Sequence, residues 1–221
     1  MQSLAALANL VRYKLSGDAY HHELFRVGMT LSLDPTPFIL AGEAIKAKLP
    51  SEAASGTISV SAVGTLATGA VRLTRLYLGE GGEFLQLYVD PASGTVAECR
   101  FFSRLDQEVP PDEAGWGVWL NEENGLIGWP QFQTLDGKLY DRQWSPGPGR
   151  IEPRALDETA AMVGGTARRS LRAMLYAAPT GLADPAPGAE YLLVAAVEEG
   201  DRAWVDLEVG IDLNPASLSL A

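Results

Sequence analysis

The chain contains one cysteine and two histidines, and this scarcity excludes several kinds of site. Cys99 has no partner for a disulfide within the 221 residues, which favours a reducing compartment. His21 and His22 are adjacent, so their side chains diverge, and neither an HExxH nor a CxxC spacing is present. We therefore expect Cys99 to be a small buried apolar residue, and we expect no metal site and no cofactor.

Positive charge is also scarce, with 17 Lys and Arg against 28 Asp and Glu and a net charge of −11. Nucleic-acid binding needs a clustered basic surface, so this composition argues against a nucleic-acid partner. No apolar run approaches the length of a membrane span, and the N-terminus lacks the features of a signal peptide. We expect a cytoplasmic protein without a transmembrane segment.

Apolar residues recur at helical spacing at the start of the chain, which predicts an amphipathic helix over residues 2–15. The stripe consists of Leu4, Leu7, Val11 and Leu15. Such a stripe packs on its own domain or on a partner. Contact with a membrane surface is the weaker reading, because Arg12 and Lys14 are the only cations of the polar face.

From Arg26 onward, apolar and polar residues mostly alternate with a period of two between Gly, Pro and Asp turns. The regular strand-helix alternation of a parallel sheet is missing. The pattern predicts an α+β protein of mostly antiparallel β meander sheets, with the N-terminal helix and short helices near 38–48 and 156–163.

The clearest break in the chain is Pro110-Pro111-Asp112-Glu113. We expect one compact domain over residues 1–221 or, as an alternative, two β lobes at 24–109 and 114–221 preceded by the helix.

A first group of candidate binding residues follows the hairpin-turn signal Asp136-Gly137. If residues 138–144 form a strand, Tyr140, Arg142 and Trp144 share one face, with the guanidinium between two rings. We favour a structural role, in which Arg142 is partly buried and meets an acidic side chain or backbone carbonyls. The alternative is a site for a ligand or a partner.

A second group lies on the last strand, where Trp204, Asp206 and Glu208 alternate with apolar residues. The alternation predicts that Val205, Leu207, Val209 and Ile211 face the core. Trp204, Asp206 and Glu208 then face outward or line a groove, and we favour a solvated face for the two carboxylates. General acid–base catalysis would require two carboxyl groups in different environments.

A series of motifs gives the chain a resemblance to a known family. The most specific series is Gly-aromatic-Pro-x-Phe, Asp-Gly and Tyr-x-Arg-x-Trp, matched by Gly128, Trp129, Pro130, Phe132, Asp136, Gly137, Tyr140, Arg142 and Trp144. With these residues the chain resembles the YjfK-like family of uncharacterised bacterial proteins. The resemblance implies a shared fold. Family members are often encoded beside membrane-stress proteins of the phage-shock type and an ATP-grasp amide ligase, which implies a role in envelope or stress physiology.

Two classes of function fit these observations. The first is a non-catalytic binding or assembly module that acts with a protein partner or with another copy of the chain, and we favour it. The second is a small-ligand binder or enzyme that uses carboxylates and Arg142 in a groove between strands.

Overall fold

Antiparallel strands make up most of the described part of the chain, which comprises residues 25–68, 71–90, 92–93 and 95–220 of a computed structural model. In chain order the strands are β1 (Thr30–Ser32), β2 (Ile58–Thr68), β3 (Val71–Leu78), β4 (Glu83–Val89), β5 (Val96–Glu108), β6 (Gln131–Gln133), β7 (Leu139–Arg142), β8 (Arg154–Met162), β9 (Gly165–Pro179), β10 (Ala189–Glu199), β11 (Arg202–Leu213) and β12 (Ser219–Leu220). The predicted helix at 2–15 and the two histidines lie outside the described residues.

Eight of these strands close into an antiparallel barrel. The neighbours run β2-β3-β4-β5-β11-β10-β9-β8, and β8 pairs back with β2. Hairpins connect most of the neighbouring strands, but the pairings of β5 with β11 and of β2 with β8 join distant parts of the sequence. These two long-range pairings bring strands from both sides of the break at 110–113 into the same barrel.

The predicted fold class, an α+β protein of mostly antiparallel meander sheets, is therefore wrong. Besides the barrel, the described residues contain two short α-helices, α1 (Thr36–Ala41) and α2 (Glu113–Leu120). Short 3-10 turns lie at Gly42–Ala44, Ser51–Ser55 and Pro215–Ser217. None of the helices in the described ranges is long and apolar enough to cross a membrane.

Two helix predictions need correction. The segment 156–163, which is rich in alanine and acidic residues, is strand β8, because pairing with β2 on one side and β9 on the other outweighs local helix propensity. The helix expected at 38–48 is the shorter α1, which gives way to a 3-10 turn at Gly42, where the φ angle is +49°.

Strand β9 is long enough to pair with two strands, β8 and β7, along the same edge. Its first part pairs with β8, and its last part pairs with β7 through Asp141 opposite Ala177 and Arg142 opposite Tyr176. Strand β7 pairs in turn with β6, so this hairpin extends the sheet beyond the barrel. Strands β1 and β12 extend it at the start of β2.

Barrel strands β4, β10 and β11 are buried on both faces along most of their length, and the molecule has two hydrophobic clusters. The inner cluster fills the barrel with side chains such as Leu66, Phe84 and Phe102. The outer cluster lies between the barrel and the segments 25–53 and 116–151. Cys99 belongs to the outer cluster, and burial raises the pKa of its thiol to about 12. The expected small buried cysteine is confirmed.

Candidate functional site

A cavity of about 130 Å³ lies inside the barrel and is lined to a large extent by charged and polar side chains. Its main polar residues are Arg75 and Tyr77 on β3, Glu158 on β8, Arg169 on β9, and Asp206 and Glu208 on β11. An apolar protein cavity of about 150 Å³ accepts benzene, so this volume suits a molecule of roughly six non-hydrogen atoms.

Glu158 is the most unusual residue of the cavity, because one of its buried oxygens lacks a hydrogen-bond donor. The Tyr77 hydroxyl donates to Oε1 at 2.7 Å, whereas Oε2 has no hydrogen-bond partner among the described residues. The nearest cations are Nη1 of Arg75 at 3.7 Å and Nη1 of Arg169 at 4.0 Å, both too far for a hydrogen bond. Glu158 is 2% exposed, so this oxygen is an unsatisfied acceptor.

The neighbouring strand leaves room for Glu158 only because it carries a glycine there. Gly64 on β2 pairs with Ala160 of β8. A Cβ atom at Gly64 would lie 2.3 Å from Oε1 of Glu158 and 3.3 Å from Cε2 of Tyr77. The small residue therefore allows the carboxylate and the phenol to meet inside the barrel.

Arg75 and Tyr77 are held firmly on one side of the cavity. Nε of Arg75 donates to Oε1 of Gln86 at 3.2 Å, and its guanidinium carbon lies 4.4 Å from the centre of the Phe84 ring. Burial, together with the nearby Glu158 carboxylate, raises the pKa of Tyr77. The phenol consequently stays protonated and remains a donor to Glu158.

Asp206 and Glu208 occupy different environments on β11. Asp206 accepts hydrogen bonds from Nε2 of Gln107 at 2.7 Å and from Nε1 of Trp204 at 2.5 Å. Burial is the main cause that raises the pKa of Glu208 to about 8, and the neighbouring Asp206 and Glu158 carboxylates add to it. Glu208 therefore keeps its proton at neutral pH and can donate a hydrogen bond. The solvated face expected for the two carboxylates is wrong, since both are buried.

The first group of candidate residues does not reach this cavity. Tyr140 and Arg142 are buried on one face of β7, and Leu139 and Asp141 are exposed on the other. The Arg142 guanidinium donates to the backbone carbonyls of Gly128, Ser145, Gly147 and Gly149. This side chain is thus engaged in holding the loop that follows β7.

Trp144 lies beyond the end of β7, and the arginine that stacks on its ring is Arg154 rather than Arg142. The guanidinium carbon of Arg154 lies 4.9 Å from the ring centre. Trp144 and Arg154 line a different pocket together with Tyr88 and Arg100. The structure therefore brings Trp204, Asp206 and Glu208 together in the cavity and leaves Tyr140, Arg142 and Trp144 outside it.

Sequence reasoning missed Arg75, Tyr77, Glu158 and Arg169. Arg75 and Tyr77 alternate with apolar residues in RLTRLYL, a pattern that is equally typical of a solvated strand face. These residues can be recognised as cavity residues only in the closed barrel, because the pairing of β8 with β2 turns their face of the strand inward.

Residues 24–219 match the model of the family described as "Protein of unknown function (DUF2491)", and the chain belongs to this family. No curated protein and no solved structure matches the chain. The family description names no activity.

Proposed function

We propose that this member of the family is a non-catalytic binding module that holds a small polar molecule inside its barrel. The observation that carries the proposal is the buried Oε2 of Glu158, a residue that lines the cavity, because this oxygen has no hydrogen-bond donor among the described residues. A ligand that donates to this oxygen would remove the cost of leaving it unsatisfied.

The polar lining itself supports a binding role. Burying charged groups costs free energy, and well-packed apolar residues of similar volume often stabilise a core more than an ion pair does. The interior nevertheless holds Arg75 and Glu158, with side chains that are 4% and 1% exposed. Recognition of a polar molecule accounts for keeping such groups in the centre of a barrel.

The cavity also has a route to solvent. Gly82, in the turn between β3 and β4, lines it together with Arg104, whose side chain is 44% exposed. A small molecule can therefore enter at this end of the barrel, beside the Arg104 side chain, whose Nε lies 3.7 Å from Oδ1 of Asp206.

A cavity-filling variant tests this proposal. Ala195 lines the cavity, and Ala195→Leu would occupy its volume. Ala155→Leu adds the same atoms at an exposed position of β8 and serves as the control. Ligand-observed NMR with a library of small polar compounds should detect binders to the parent and to Ala155→Leu that Ala195→Leu has lost. If every binder of the parent still binds Ala195→Leu, the barrel interior is not the site.

An assembly role is a second candidate, favoured by the hairpin of β6 and β7. Leu135 at its turn is fully exposed and Leu139 is 49% exposed. Exposed apolar side chains on a hairpin can be buried by contact with another protein. Sedimentation of the parent should show self-association that Leu135→Ser weakens and Leu182→Ser, on another exposed loop, leaves unchanged. A monomeric parent at all concentrations would count against self-assembly through the hairpin.

The cellular setting is a further part of the proposal. The resemblance to the YjfK-like family supports a bacterial protein linked to envelope or stress physiology. The single buried cysteine supports a cytoplasmic location. Fractionation of the native host with an antibody against the chain tests the location, and recovery in a secreted or periplasmic fraction would contradict it.

A further inference from the structure

We propose that the ligand of the barrel cavity is a small neutral polyol, an inference that rests on the proposed binding function. The charged groups around Oε2 of Glu158 and the hydrogen-bonding groups across the cavity select this class.

A cationic donor is disfavoured beside the unsatisfied oxygen. The guanidinium groups of Arg75 and Arg169 already lie 3.7 Å and 4.0 Å from Oε2 of Glu158. An ammonium group bound to this oxygen would come close to both of them, and like charges at such distances repel strongly in a buried site. The donor that completes Glu158 should therefore be a neutral O–H or N–H group.

An anionic ligand is disfavoured for the opposite reason. The cavity is already lined by the carboxylates of Glu158 and Asp206, which would repel an anion. The positive charge of Arg169 is already directed to Glu199, whose Oε2 accepts from its Nε at 2.7 Å. The three arginines of the lining are thus matched by three carboxylates, those of Glu158, Asp206 and Glu199, and a neutral molecule disturbs this balance least.

The other side of the cavity requires an acceptor. Glu208 is buried and holds its proton at neutral pH, so its carboxyl group can donate to a ligand. A hydroxyl group donates and accepts through one oxygen atom, and a polyol repeats this capacity on each carbon. The aliphatic C–H groups of such a molecule fit the apolar part of the wall, which includes Leu171, Val197 and the Trp204 ring.

Glycerol is the probe that fits this description, because it has six non-hydrogen atoms and no charge, and the cavity volume is about 130 Å³. Three compounds of similar size provide the comparison: propylammonium, propionate and acetamide. Saturation-transfer NMR on the full chain should show glycerol binding, with propylammonium and propionate giving no comparable signal. Acetamide tests the other neutral donor-acceptor class and should bind at least threefold more weakly than glycerol.

Two variants locate the bound glycerol. In Glu158→Gln the amide oxygen remains the partner of the Tyr77 hydroxyl, so an amide N–H₂ group replaces the unsatisfied acceptor. This variant should weaken glycerol binding at least tenfold. Asp157→Asn makes the equivalent change at an exposed carboxylate on the same strand and should change the affinity less than threefold. Because Glu158→Gln also removes a charge beside Arg75, Ala195→Leu is the second test and should abolish binding without altering that charge.

The outcomes separate the two levels of the proposal. Binding of propylammonium or propionate that Ala195→Leu abolishes would overturn the polyol class and leave the cavity as a ligand site. Stronger binding of acetamide than of glycerol would likewise overturn the class. If no compound is sensitive to Ala195→Leu, the proposed binding function itself fails.

Discussion

The Tyr140 hydroxyl donates a 2.8 Å hydrogen bond to Oε2 of Glu190, a carboxylate with no exposed surface. Nζ of Lys138 lies 2.6 Å from the same oxygen, and the backbone N–H groups of Lys46 and Ala47 donate to Oε1. One buried carboxylate on β10 thereby joins the hairpin of β6 and β7 and the segment that follows α1. Unlike Glu158, it has donors on both oxygens, so we assign it a structural role.

We predict that Tyr140→Phe lowers the free energy of unfolding by about 1–3 kcal/mol, because it removes one donor from a buried charged acceptor. Urea denaturation measures the change. Tyr191→Phe is the matched control, since its hydroxyl donates to Asp212 at 2.6 Å in an exposed pair. The control should cost about 0.5 kcal/mol or less. Equal losses of unfolding free energy in the two variants would show that the hydrogen bond to Glu190 stabilises the fold no more than an exposed hydrogen bond does.

Arg142→Lys should lower the stability of the fold by about 2–3 kcal/mol. The guanidinium of Arg142 serves four carbonyls around the 145–149 loop, and an ammonium group with three donors cannot reproduce this planar arrangement. Thermal unfolding measures the loss, and Arg154→Lys, on the exposed side of Trp144, is the control. A variant that melts like the parent but loses a ligand or partner would instead make Arg142 a functional residue.

The stability of the protein should depend on pH through Glu208. Its folded-state pKa of about 8 lies above the ordinary value of 4.5, so the folded protein binds a proton that the unfolded chain releases. This contribution is fully present below about pH 4.5 and is lost as the pH rises to about 8. Over that window the loss is on the order of a few kcal/mol.

Glu208→Gln replaces the protonated carboxyl group with a neutral amide and removes this loss. We expect the unfolding free energy of the variant, relative to that of the parent, to increase from pH 5 to pH 8. Chemical denaturation at several pH values measures it. Asp212→Asn, at an exposed carboxylate on the same strand, should leave the pH profile nearly unchanged. A constant difference between Glu208→Gln and the parent would contradict the raised pKa.

Local alternation predicted individual strands better than it predicted their assembly. On β11, Val205, Leu207 and Ile211 pack in the outer cluster, as the pattern indicated. The same pattern could not show that Asp206 faces a closed interior, because an open sheet with one solvated face produces an identical alternation. Closure depends on the pairing of β2 with β8, and nothing in the local sequence of either strand specifies a partner so distant.

In the candidate site, too, local sequence patterns identify some residues and miss those whose position depends on strand pairing. Asp206 and Glu208 stand out in the sequence as charged residues in an apolar strand, whereas the alanine-rich surroundings of Glu158 predict a helix. In the barrel its side chain points inward between β2 and β9 and becomes the centre of the cavity. Residues whose role depends on long-range pairing can be found only after the topology is known.

Glycine substitution offers the sharpest test of that topology. In a strand, Gly→Ala ordinarily stabilises by about 0.5–1 kcal/mol, because alanine loses less conformational entropy on folding. At Gly64, however, the new methyl group would meet Oε1 of Glu158 at 2.3 Å. The carboxylate would have to move away and lose its hydrogen bond from Tyr77, so overpacking and the lost bond outweigh the entropic gain.

We therefore predict that Gly64→Ala destabilises the fold by about 2–4 kcal/mol and weakens glycerol binding in the cavity. Gly117→Ala is the control, because this glycine lies inside α2 with open space where the methyl group would stand. That variant should gain about 0.5–1 kcal/mol. Urea denaturation and saturation-transfer NMR measure the two effects. If Gly64→Ala is as stable as Gly117→Ala, then Glu158 does not lie against β2, and the closure of the barrel by β8 is wrong.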